Sequence, residues 1–546
     1  MSKAELLLHG GAIHSMDPGC PRAEAIAIAG GRILALGSMA ALEGLCGTGT
    51  KRINLGGRMV MPGIIDFHLH LLSGMTTRLH STPLDPADDF AAVLARIGAA
   101  AQAPGRRDWI TAGPYGPTAL AAMEQPGALA ALDAVSHGRP VFLTHVSAHG
   151  GFANSAALAR VGITAVTPNP PDGEIVKDAA GRPTGLLHET ASWLVRDAMP
   201  ELTEAEMLEV AREAMRYLNS LGLTGFCDAS TTLGALRTFQ ALDAAGELTC
   251  WAGFNLALSP TSLGYDAATA EELRRTRQSL CGPHMVADFA KVFLDGVPSL
   301  RTAAMLEPYA TAPPGEPPIA MTMEVEELAE AIADFDREGM GVKVHAIGDR
   351  AVRAVLDAVE HVRARNGAGV QHQIAHGQFI RQEDIPRLRS LNVLADMNPP
   401  LWFPNSASLT HERVVGKLRY AQSWAIRDIL ESGADIAVGS DWMTIAPDLD
   451  PWLSLCGMVT RRDPTGRWPG AHRPDQALSL EQALPLYTRN PARAMRRGDR
   501  TGRLAPGLSA DLIMLDRDLM AIDPMAIAGT TVLATLFEGR LVHGGF

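Results

Sequence analysis

The run from Met61 to His70 most constrains what this chain can fold into, because an apolar stretch ends in two histidines. His68 and His70 are separated by a single residue. Residues i and i+2 of a β-strand project from the same face, so both imidazoles point toward one place. Two imidazoles on a buried strand pack poorly but suit a metal ion. Two hydrogen-bonded histidines at a strand end are the alternative at this point, because short motifs also occur by chance.

The length and charge of the chain narrow its class. Its 546 residues exceed the size at which a single core stops growing, so two or more domains are expected. The chain is 47% hydrophobic and 20% charged, which is typical of a soluble globular enzyme. Its net charge of −12 argues against a nucleic acid or an anionic membrane as partner, since both attract basic surfaces.

Cysteine usage and the absence of targeting patterns indicate the compartment. The six cysteines are scattered and form no C-x-x-C pair, so they are expected to be mostly buried thiols in a reducing environment. The sequence shows no signal peptide, and no apolar run approaches the length of a membrane span. These observations predict a cytoplasmic protein.

Both ends of the chain are rich in short strand candidates broken by glycine and proline. We therefore predict that residues 1–58 and 500–546 together form a small β-sandwich domain. Residues 59–499 alternate apolar runs with amphipathic helical patterns, which favours βα units around a parallel sheet. The overall prediction is an α/β protein.

Eight buried strands are predicted in the central domain, and eight strands with intervening helices fit a (β/α)8 TIM-like barrel. About 150 residues separate the first two strands, so we predict an insertion at roughly 72–205 over the barrel mouth. The predicted strands are Met59–Phe67, Gly222–Asp228, Thr249–Ala257, Val286–Leu294, Gly341–Ile347, Gln371–Ala375, Asn392–Met397 and Asp435–Gly439.

Polar side chains stand at the carboxyl ends of five of these strands, where barrel active sites lie. Imidazole and carboxylate groups suit zinc and similar divalent ions. Each residue alone is a weak signal, but their appearance in barrel order is a strong one. They are His68 and His70 on the first strand, Lys291 on the fourth, Lys343 and His345 on the fifth, His376 on the sixth and Asp441 on the eighth.

These segments resemble the amidohydrolase superfamily and, within it, the amidohydrolase-3 (YtcJ-like) group. The resemblance runs almost end to end and does not specify the substrate. It is carried by Met61–His70, Ala153–Leu158, Pro183–Glu189, Lys291–Gly296, Val344–Arg350, Ile374–His376, Gly439–Asp441 and Gly502–Ile513.

The resemblance implies a binuclear metal centre with Zn²⁺ as the expected ion. His68, His70 and Asp441 would bind the more buried ion, and His345 and His376 the second. Lys291 would be carboxylated and bridge both ions, because a carbamate can bind metal whereas an ammonium cannot. The metal identity and number stay open, and an ion pair between Lys291 and Asp295 is the alternative role for that lysine.

Asp441 is the natural general base, because a carboxylate beside a metal-activated hydroxide can move its proton to a leaving nitrogen. The alternative is that Asp441 caps the end of the eighth strand. Asp66 shares a strand face with His68 by parity, so it is expected either to orient an imidazole or to form an ordinary buried hydrogen bond.

Substrate-binding residues are less well defined. His149 lies in a segment that lines the pocket in the resembling group, Lys343 shares a strand face with His345, and rim aromatics favour an apolar pocket. Arg301 could bind a carboxylate or carbonyl oxygen, or simply pin its loop. The predicted substrate-binding residues are His149, Lys343, Arg301, Trp402 and Trp442.

The predicted function is a metal-dependent amidohydrolase that cleaves a linear amide, N-acyl or N-formyl C–N bond of a small molecule. A metal-activated hydroxide would attack the carbonyl, with Asp441 as the general base. A deaminase, or a cyclic-amide or ester hydrolase, is the alternative on the same site. A non-catalytic, metal-stabilised binding protein is a further alternative. Members of the group are often dimers, so a homodimer is an open prediction.

Overall fold

The computed structural model describes residues 3–103, 108–147, 149–171, 173–200, 202–258, 267–443 and 448–546. The first strands of the chain belong to a sheet that also contains the last strands of the chain. These strands and the short helix among them are β1 (Leu6–His14), β2 (Arg22–Ala29), β3 (Arg32–Gly37), α1 (Met39–Leu42), β4 (Lys51–Asn54) and β5 (Met59–Pro62).

The predicted first barrel strand differs from the observed one. The run Met59–Phe67 is divided at Gly63 into β5 and the barrel strand β6 (Ile64–Leu69). β5 pairs parallel with β1, in the sheet of the chain ends. A β-carbon on Gly63 would lie 2.1 Å from Thr224 Oγ1, so the chain passes between the two sheets where no side chain fits.

The insertion after β6 has its own core and a six-stranded sheet in the order β11-β12-β10-β9-β8-β7. Its elements are α2 (Leu71–His80), β7 (Thr82–Pro83), α3 (Phe90–Gln102), β8 (Ile110–Tyr115), α4 (Pro117–Met123), α5 (Ala128–Ser136), β9 (Val141–His145), β10 (Gly150–Ala153), α6 (Ser155–Arg160), β11 (Gly173–Lys177), β12 (Pro183–Glu189) and α7 (Thr190–Arg196).

The barrel resumes with alternating helices and strands, and the TIM-like barrel prediction is confirmed. Its elements are α8 (Glu204–Ser220), β13 (Leu223–Thr231), α9 (Leu233–Ala244), β14 (Trp251–Ala257), α10 (Ala267–Thr276), β15 (Met285–Phe293), α11 (Val325–Arg337), β16 (Gly341–Ala346), α12 (Asp349–Asn366), β17 (His372–His376), α13 (Ile385–Ser390), β18 (Val393–Met397), α14 (Ser406–Val415), α15 (Lys417–Tyr420), α16 (Ile426–Glu431) and β19 (Ile436–Val438).

Local sequence explains these helices. α8 begins with a capping box in which Thr203 and Glu206 each accept the other's backbone N–H. α11 buries Leu328, Ile332 and Phe335, a helical spacing that directs one apolar face toward the strands. The eight barrel strands are parallel neighbours in the order β19-β18-β17-β16-β15-β14-β13-β6.

The end of the chain completes the first sheet. Its elements are α17 (Pro451–Thr460), α18 (Leu480–Ala483), α19 (Arg489–Ala494), β20 (Leu512–Leu515), β21 (Val532–Phe537) and β22 (Arg540–Gly544). The eight-stranded order is β22-β21-β20-β5-β1-β2-β3, with β4 beside β1.

The sheet of the chain ends has a core of its own. Leu8 and Ile26 from the first strands pack in one buried cluster with Leu512 and Leu536 from the last. The strands of both ends therefore share one core, whereas the two-layer packing of a sandwich and the division at residues 58 and 500 stay predictions. All six cysteines are free thiols. None of the helices that the structure describes combines the length and apolar character needed to cross a bilayer.

Candidate metal centre

The six predicted metal ligands line one cavity of about 1190 Å³ at the barrel mouth. Residues of the insertion, including His145, His149 and Trp193, line the same cavity. The insertion therefore contributes to the cavity wall, and its placement over the barrel mouth stays a prediction. The ligands that line the cavity are His68, His70, Lys291, His345, His376 and Asp441.

Three of these side chains bring ligand atoms close together. One ligand atom from each of His68, His376 and Asp441 lies within 4.8 Å of the others, and all three residues are buried. Nε2 of His70 lies 3.7 Å from Oδ1 of Asp441, beside this group. Two imidazoles and a carboxylate are a donor set that zinc and related divalent ions accept.

The orientation of His68 is fixed by the seventh barrel strand. Nδ1 of His68 lies 2.6 Å from Oδ2 of Asp396, so the ring donates its Nδ1 proton to the carboxylate. Nε2 is then the nitrogen with the lone pair, and it lies 3.6 Å from Oδ1 of Asp441. This nitrogen is buried and has no hydrogen-bond partner among the described residues. A buried, unpaired ligand atom beside two other donors fits a bound metal ion.

His376 is held in the same way by the same strand end. Nδ1 of His376 lies 2.7 Å from Oδ1 of Asn398, and Nδ2 of that amide donates to the carbonyl of Gly439. The bond to Gly439 fixes which end of the amide faces the imidazole. His376 has a left-handed φ of 72°, a conformation that non-glycine residues seldom adopt and that is concentrated at functional sites.

Asp441 is positioned by close contact between the last and first barrel strands. Its backbone N–H donates to the carbonyl of His68 at 2.7 Å, and its φ of 53° is also left-handed. A β-carbon on Gly439 would lie 2.1 Å from the backbone nitrogen of His68. Glycine is therefore required for β19 to approach β6 closely enough to place the carboxylate beside the histidines.

Asp66 does not orient an imidazole. Its carboxylate accepts the backbone N–H groups of His68 and Ser440. Burial raises the pKa of Asp66 to about 7, although these hydrogen bonds oppose the rise. Asp66 therefore connects the backbones of the first and last strands beneath the site, which is the ordinary buried role that the sequence left open.

Burial keeps the histidines of the site neutral. It lowers the pKa values of His68, His345 and His376 well below the usual range, and neighbouring lysine or histidine charges lower them further. Burial and the charge of Lys291 lower the pKa of His70 to about 3. Neutral imidazoles are the form that binds metal ions.

Lys291 is buried among these groups on β15. Burial, together with the charge of Lys343, lowers the pKa of the Lys291 amine to about 7. Its Nζ lies 4.7 Å from the ring centre of Phe293. The alternative role is not observed, because no ion pair joins Lys291 to Asp295 within the described part of the chain. Asp295 instead accepts the backbone N–H groups of Ala304, Ile347 and Gly348.

His345 lies next to His376, with 4.5 Å between ring centres. Its Nε2 lies 3.2 Å from the carbonyl oxygen of Gly296 and donates to it, so Nδ1 is the nitrogen left for a ligand. Nε2 of His345 is also 3.7 Å from Oδ1 of Asp295. The site thus contains a compact three-donor group and, beside it, Lys291 and His345.

Comparison with known proteins decides the family. A family model described as "Amidohydrolase family" matches residues 51–543. The chain belongs to the amidohydrolase family. The resemblance noted from the sequence is confirmed, and so is the prediction of a hydrolase acting on carbon–nitrogen bonds.

Individual relatives align over nearly the whole amidohydrolase. The putative amidohydrolase YtcJ of Bacillus subtilis (strain 168) is 29% identical over 98% of each chain. N-substituted formamide deformylase of Arthrobacter pascens is 27% identical over 98% of each chain. A crystal structure of an uncharacterized metal-dependent hydrolase from Pyrococcus furiosus superposes with a TM-score of 0.71 at 25% identity, over 95% of this chain and 99% of that one.

The predicted substrate-binding residues separate into two groups. His149 lines the cavity of the amidohydrolase, but Lys343, Arg301, Trp402 and Trp442 are not among the described residues that do. Lys343 and Trp402 are fully buried, since neither exposes any of its surface to solvent. Arg301 forms an ion pair with Glu316 and thus has the loop-pinning role.

Trp442 packs away from the cavity. Its ring lies against Gly74 of α2, where a β-carbon would come within 2.5 Å of the indole, and 5.8 Å from the ring centre of Tyr217. Its place in a loop near the rim suggested the pocket. The left-handed backbone at Asp441 turns the chain at this point, and the indole fills the space between two helices instead.

His149 forms a pair that sequence reasoning only half identified. Its Nδ1 lies 2.9 Å from Oε2 of Glu189, and its ring centre is 6.0 Å from that of His345. Burial lowers the pKa of His149, but the hydrogen bond and charge of Glu189 outweigh this effect and raise it. Glu189 has a left-handed φ of 49°, so strained backbone supports this contact too.

Two positioning residues at the end of β18, one on the strand and one directly after it, were missed altogether. Asp396 and Asn398 alternate at the end of the seventh strand, just as His68 and His70 alternate on the first. That alternation of polar residues on an apolar strand was the available signal.

Proposed function

We propose that this amidohydrolase uses Zn²⁺ to cleave a linear amide, N-acyl or N-formyl bond of a small molecule. The observation that carries the proposal is the group formed by His68, His376 and Asp441, whose ligand atoms lie within 4.8 Å of one another inside the cavity. In this proposal His68, His70 and Asp441 would hold the first ion, and His345 and His376 would hold the second. A carboxylated Lys291 would bind both.

The donor set fits such a centre. The unpaired Nε2 of His68 and the neutral histidines are ready to bind a cation without losing a proton. An amine with a pKa of about 7 is partly uncharged near neutral pH, which is the form that reacts with carbon dioxide. A divalent ion bound there supplies a Lewis acid and lowers the pKa of water in contact with it.

Asp441 is the proposed general base. Its carboxylate is held by the backbone contact to His68 and reaches both histidines of the group. It receives the proton of the attacking water and passes it to the leaving nitrogen, which departs as a neutral amine. His149, fixed by Glu189 on the facing wall, is placed to contact the substrate near His345.

The cavity favours a substrate with a sizeable apolar group. Its volume of about 1190 Å³ exceeds that of most small-molecule sites. The similarity to a formamide deformylase supports an N-formyl compound with a bulky nitrogen substituent. The apolar side chains that line the cavity include Phe293, Ile319, Met321, Leu401, Phe403 and Trp468.

The proposal is tested with a panel of N-formyl, N-acetyl and N-acyl arylamines, extended by a lactam, an ester and a ring amine. The zinc-loaded protein should hydrolyse at least one linear amide, lose that activity to a chelator and regain it with zinc. Asp441→Asn should lower kcat by about 10³-fold at unchanged circular dichroism. Asp178→Asn, at a half-buried aspartate of the insertion that lies outside the cavity lining, is the matched control and should leave kcat unchanged.

Three results would contradict this assignment. Turnover by Asp441→Asn within a few-fold of the wild type would exclude the proposed base. Activity on the ring amine, lactam or ester alone would replace the linear-amide substrate with the deaminase or cyclic-amide alternative. Activity that is unaffected by metal removal would exclude the metal centre.

A further inference from the structure

Lys343 is a buried lysine that the proposed reaction does not use. It lies on β16, exposes none of its surface and does not line the cavity. Its Nζ lies 2.8 Å from Oδ2 of Asp396 and donates to the carbonyl of Phe67 at 2.9 Å. The same ammonium lies 4.4 Å from the ring centre of Phe67. All these contacts are made inside the barrel, beneath the metal centre.

The ion pair and the hydrogen bond of Lys343 both lead to His68. Oδ2 of Asp396, which binds Lys343, also accepts the Nδ1 proton of His68 at 2.6 Å. Phe67, whose carbonyl Lys343 binds, directly precedes His68 in the chain. Oδ1 of Asp396 has no hydrogen-bond partner among the described residues. Within the described part of the chain, only Lys343 and His68 therefore hold this carboxylate at its oxygens, and both contact Oδ2.

Lys343 connects strands that lie on different sides of the barrel. β6 and β16 are the first and fifth of eight strands, so they lie on opposite sides of the barrel. β18, which carries Asp396, is the seventh strand. One side chain thus ties three separate strands together at the level of His68. Without it, the carboxylate could turn about its own axis and release the imidazole.

Stability alone does not account for this arrangement. A fully buried ion pair gains little over an apolar pair of similar size, because both charges lose their hydration. We propose that Lys343 is a positioning residue for the metal centre: it orients Asp396 so that His68 stays protonated on Nδ1 and directs Nε2 at the metal. The proposal rests on the metal centre proposed above, but its tautomer test does not require metal.

The test uses Lys343→Met, which keeps the length of the side chain and removes its charge. Zinc affinity is measured by competition with a chromophoric chelator, and the tautomer of His68 by ¹⁵N NMR of metal-free, ¹⁵N-histidine-labelled protein. The His68 signal is assigned by its loss in His68→Asn. The expected result is a roughly 10- to 100-fold weaker affinity for zinc and a mixture of His68 tautomers, against a single Nδ1–H tautomer in the wild type.

Arg363→Met is the matched control. Arg363 is also mostly buried and binds the carboxylate of Asp336, but on α12, outside the cavity lining. It should lower the unfolding midpoint without changing zinc affinity or the His68 signal. If Lys343→Met does not fold, Lys343→Met/Asp396→Asn removes both charges, and the same weakening of zinc affinity is expected.

The proposal is overturned if the folded Lys343 variant keeps wild-type zinc affinity and a single Nδ1–H tautomer. Lys343 would then serve stability only. Failure of the metal centre itself gives a different result. In that case the wild-type protein binds no zinc, while the NMR comparison still shows whether Lys343 controls the tautomer of His68.

Discussion

Asn398 holds His376 through a hydrogen bond of 2.7 Å between its amide oxygen and Nδ1 of the imidazole. Two residues earlier, Asp396 holds His68 through the same ring nitrogen. One strand end, on β18, therefore sets the orientation of imidazoles that come from two other strands. Such supporting contacts determine which nitrogen of a histidine is free to bind metal.

Replacing Asn398 should therefore weaken metal binding without removing a ligand. Asn398→Leu keeps the volume of the side chain but loses the acceptor, so His376 is no longer held in one tautomer. We expect a roughly 10- to 100-fold loss of zinc affinity by chelator competition. Asn398→Asp retains an acceptor and should lose less. Equal affinity in Asn398→Leu and the wild type would show that the amide is not needed.

A methyl group at Gly439 should disrupt the site through backbone geometry alone. The added carbon would lie 2.1 Å from the nitrogen of His68, so β19 must move away from β6 and carry Asp441 with it. We expect Gly439→Ala to lower the free energy of unfolding by about 3 kcal/mol and to abolish zinc binding. Gly44→Ala, where no atom lies within 4 Å of the added carbon, should change neither.

Replacing Lys291 should remove the second proposed metal site and leave the first. Lys291→Met removes the amine that would carry the carboxyl group, while His68, His70 and Asp441 remain. We expect this variant to bind about one equivalent of zinc where the wild type binds two, measured by elemental analysis after gel filtration. Intact mass of the wild-type protein in bicarbonate should show one added carbon dioxide that the variant lacks. Two equivalents in both proteins would exclude Lys291 as a bridging ligand.

His284 should make stability depend on pH at the contact between the barrel and the sheet of the chain ends. Its Nδ1 lies 2.6 Å from Oδ1 of Asp243, near the end of α9, and its Nε2 lies 3.2 Å from Oε2 of Glu538, which follows β21. The hydrogen bond to Asp243 raises the pKa of His284, and burial opposes the rise. A raised pKa means that the folded state binds the proton more tightly. The stabilisation is complete below about pH 6.5 and is lost as the pH rises through the raised pKa.

Urea unfolding at pH 6 and pH 9 tests this expectation. The wild type should lose roughly 1 kcal/mol more stability over this interval than His284→Gln, whose amide does not titrate. The comparison between the two proteins cancels the effect of the other titrating groups, since these are common to both. An identical pH dependence in the two proteins would show that the protonation of His284 does not contribute.

The sequence by itself determined the barrel and most of the site. Seven of its eight strand predictions correspond to single observed barrel strands, because buried parallel strands are continuous apolar runs that local pattern reveals. The first prediction covers two strands, β5 and β6, which belong to different sheets. The shared location of the candidate ligands was predictable for a similar reason. In a parallel barrel the carboxyl ends of all strands meet at the same rim. A polar residue at a strand end therefore lies in the site, however far it is in sequence from the other site residues.

Only the tertiary structure decided which neighbours these side chains have. Lys343 was expected at the pocket because it shares a strand face with His345, and Trp402 and Trp442 because they lie in rim loops. Each is buried and outside the cavity lining. The roles of Asp396 and Asn398 depend on contacts with other strands. The strand that Asp396 contacts lies hundreds of residues earlier in the sequence, and the strand that Asn398 contacts lies tens of residues earlier. Strand order can be inferred from local pattern, but the direction and packing of each side chain depend on the whole barrel. The sequence therefore predicted the candidate ligands and not the residues that hold them.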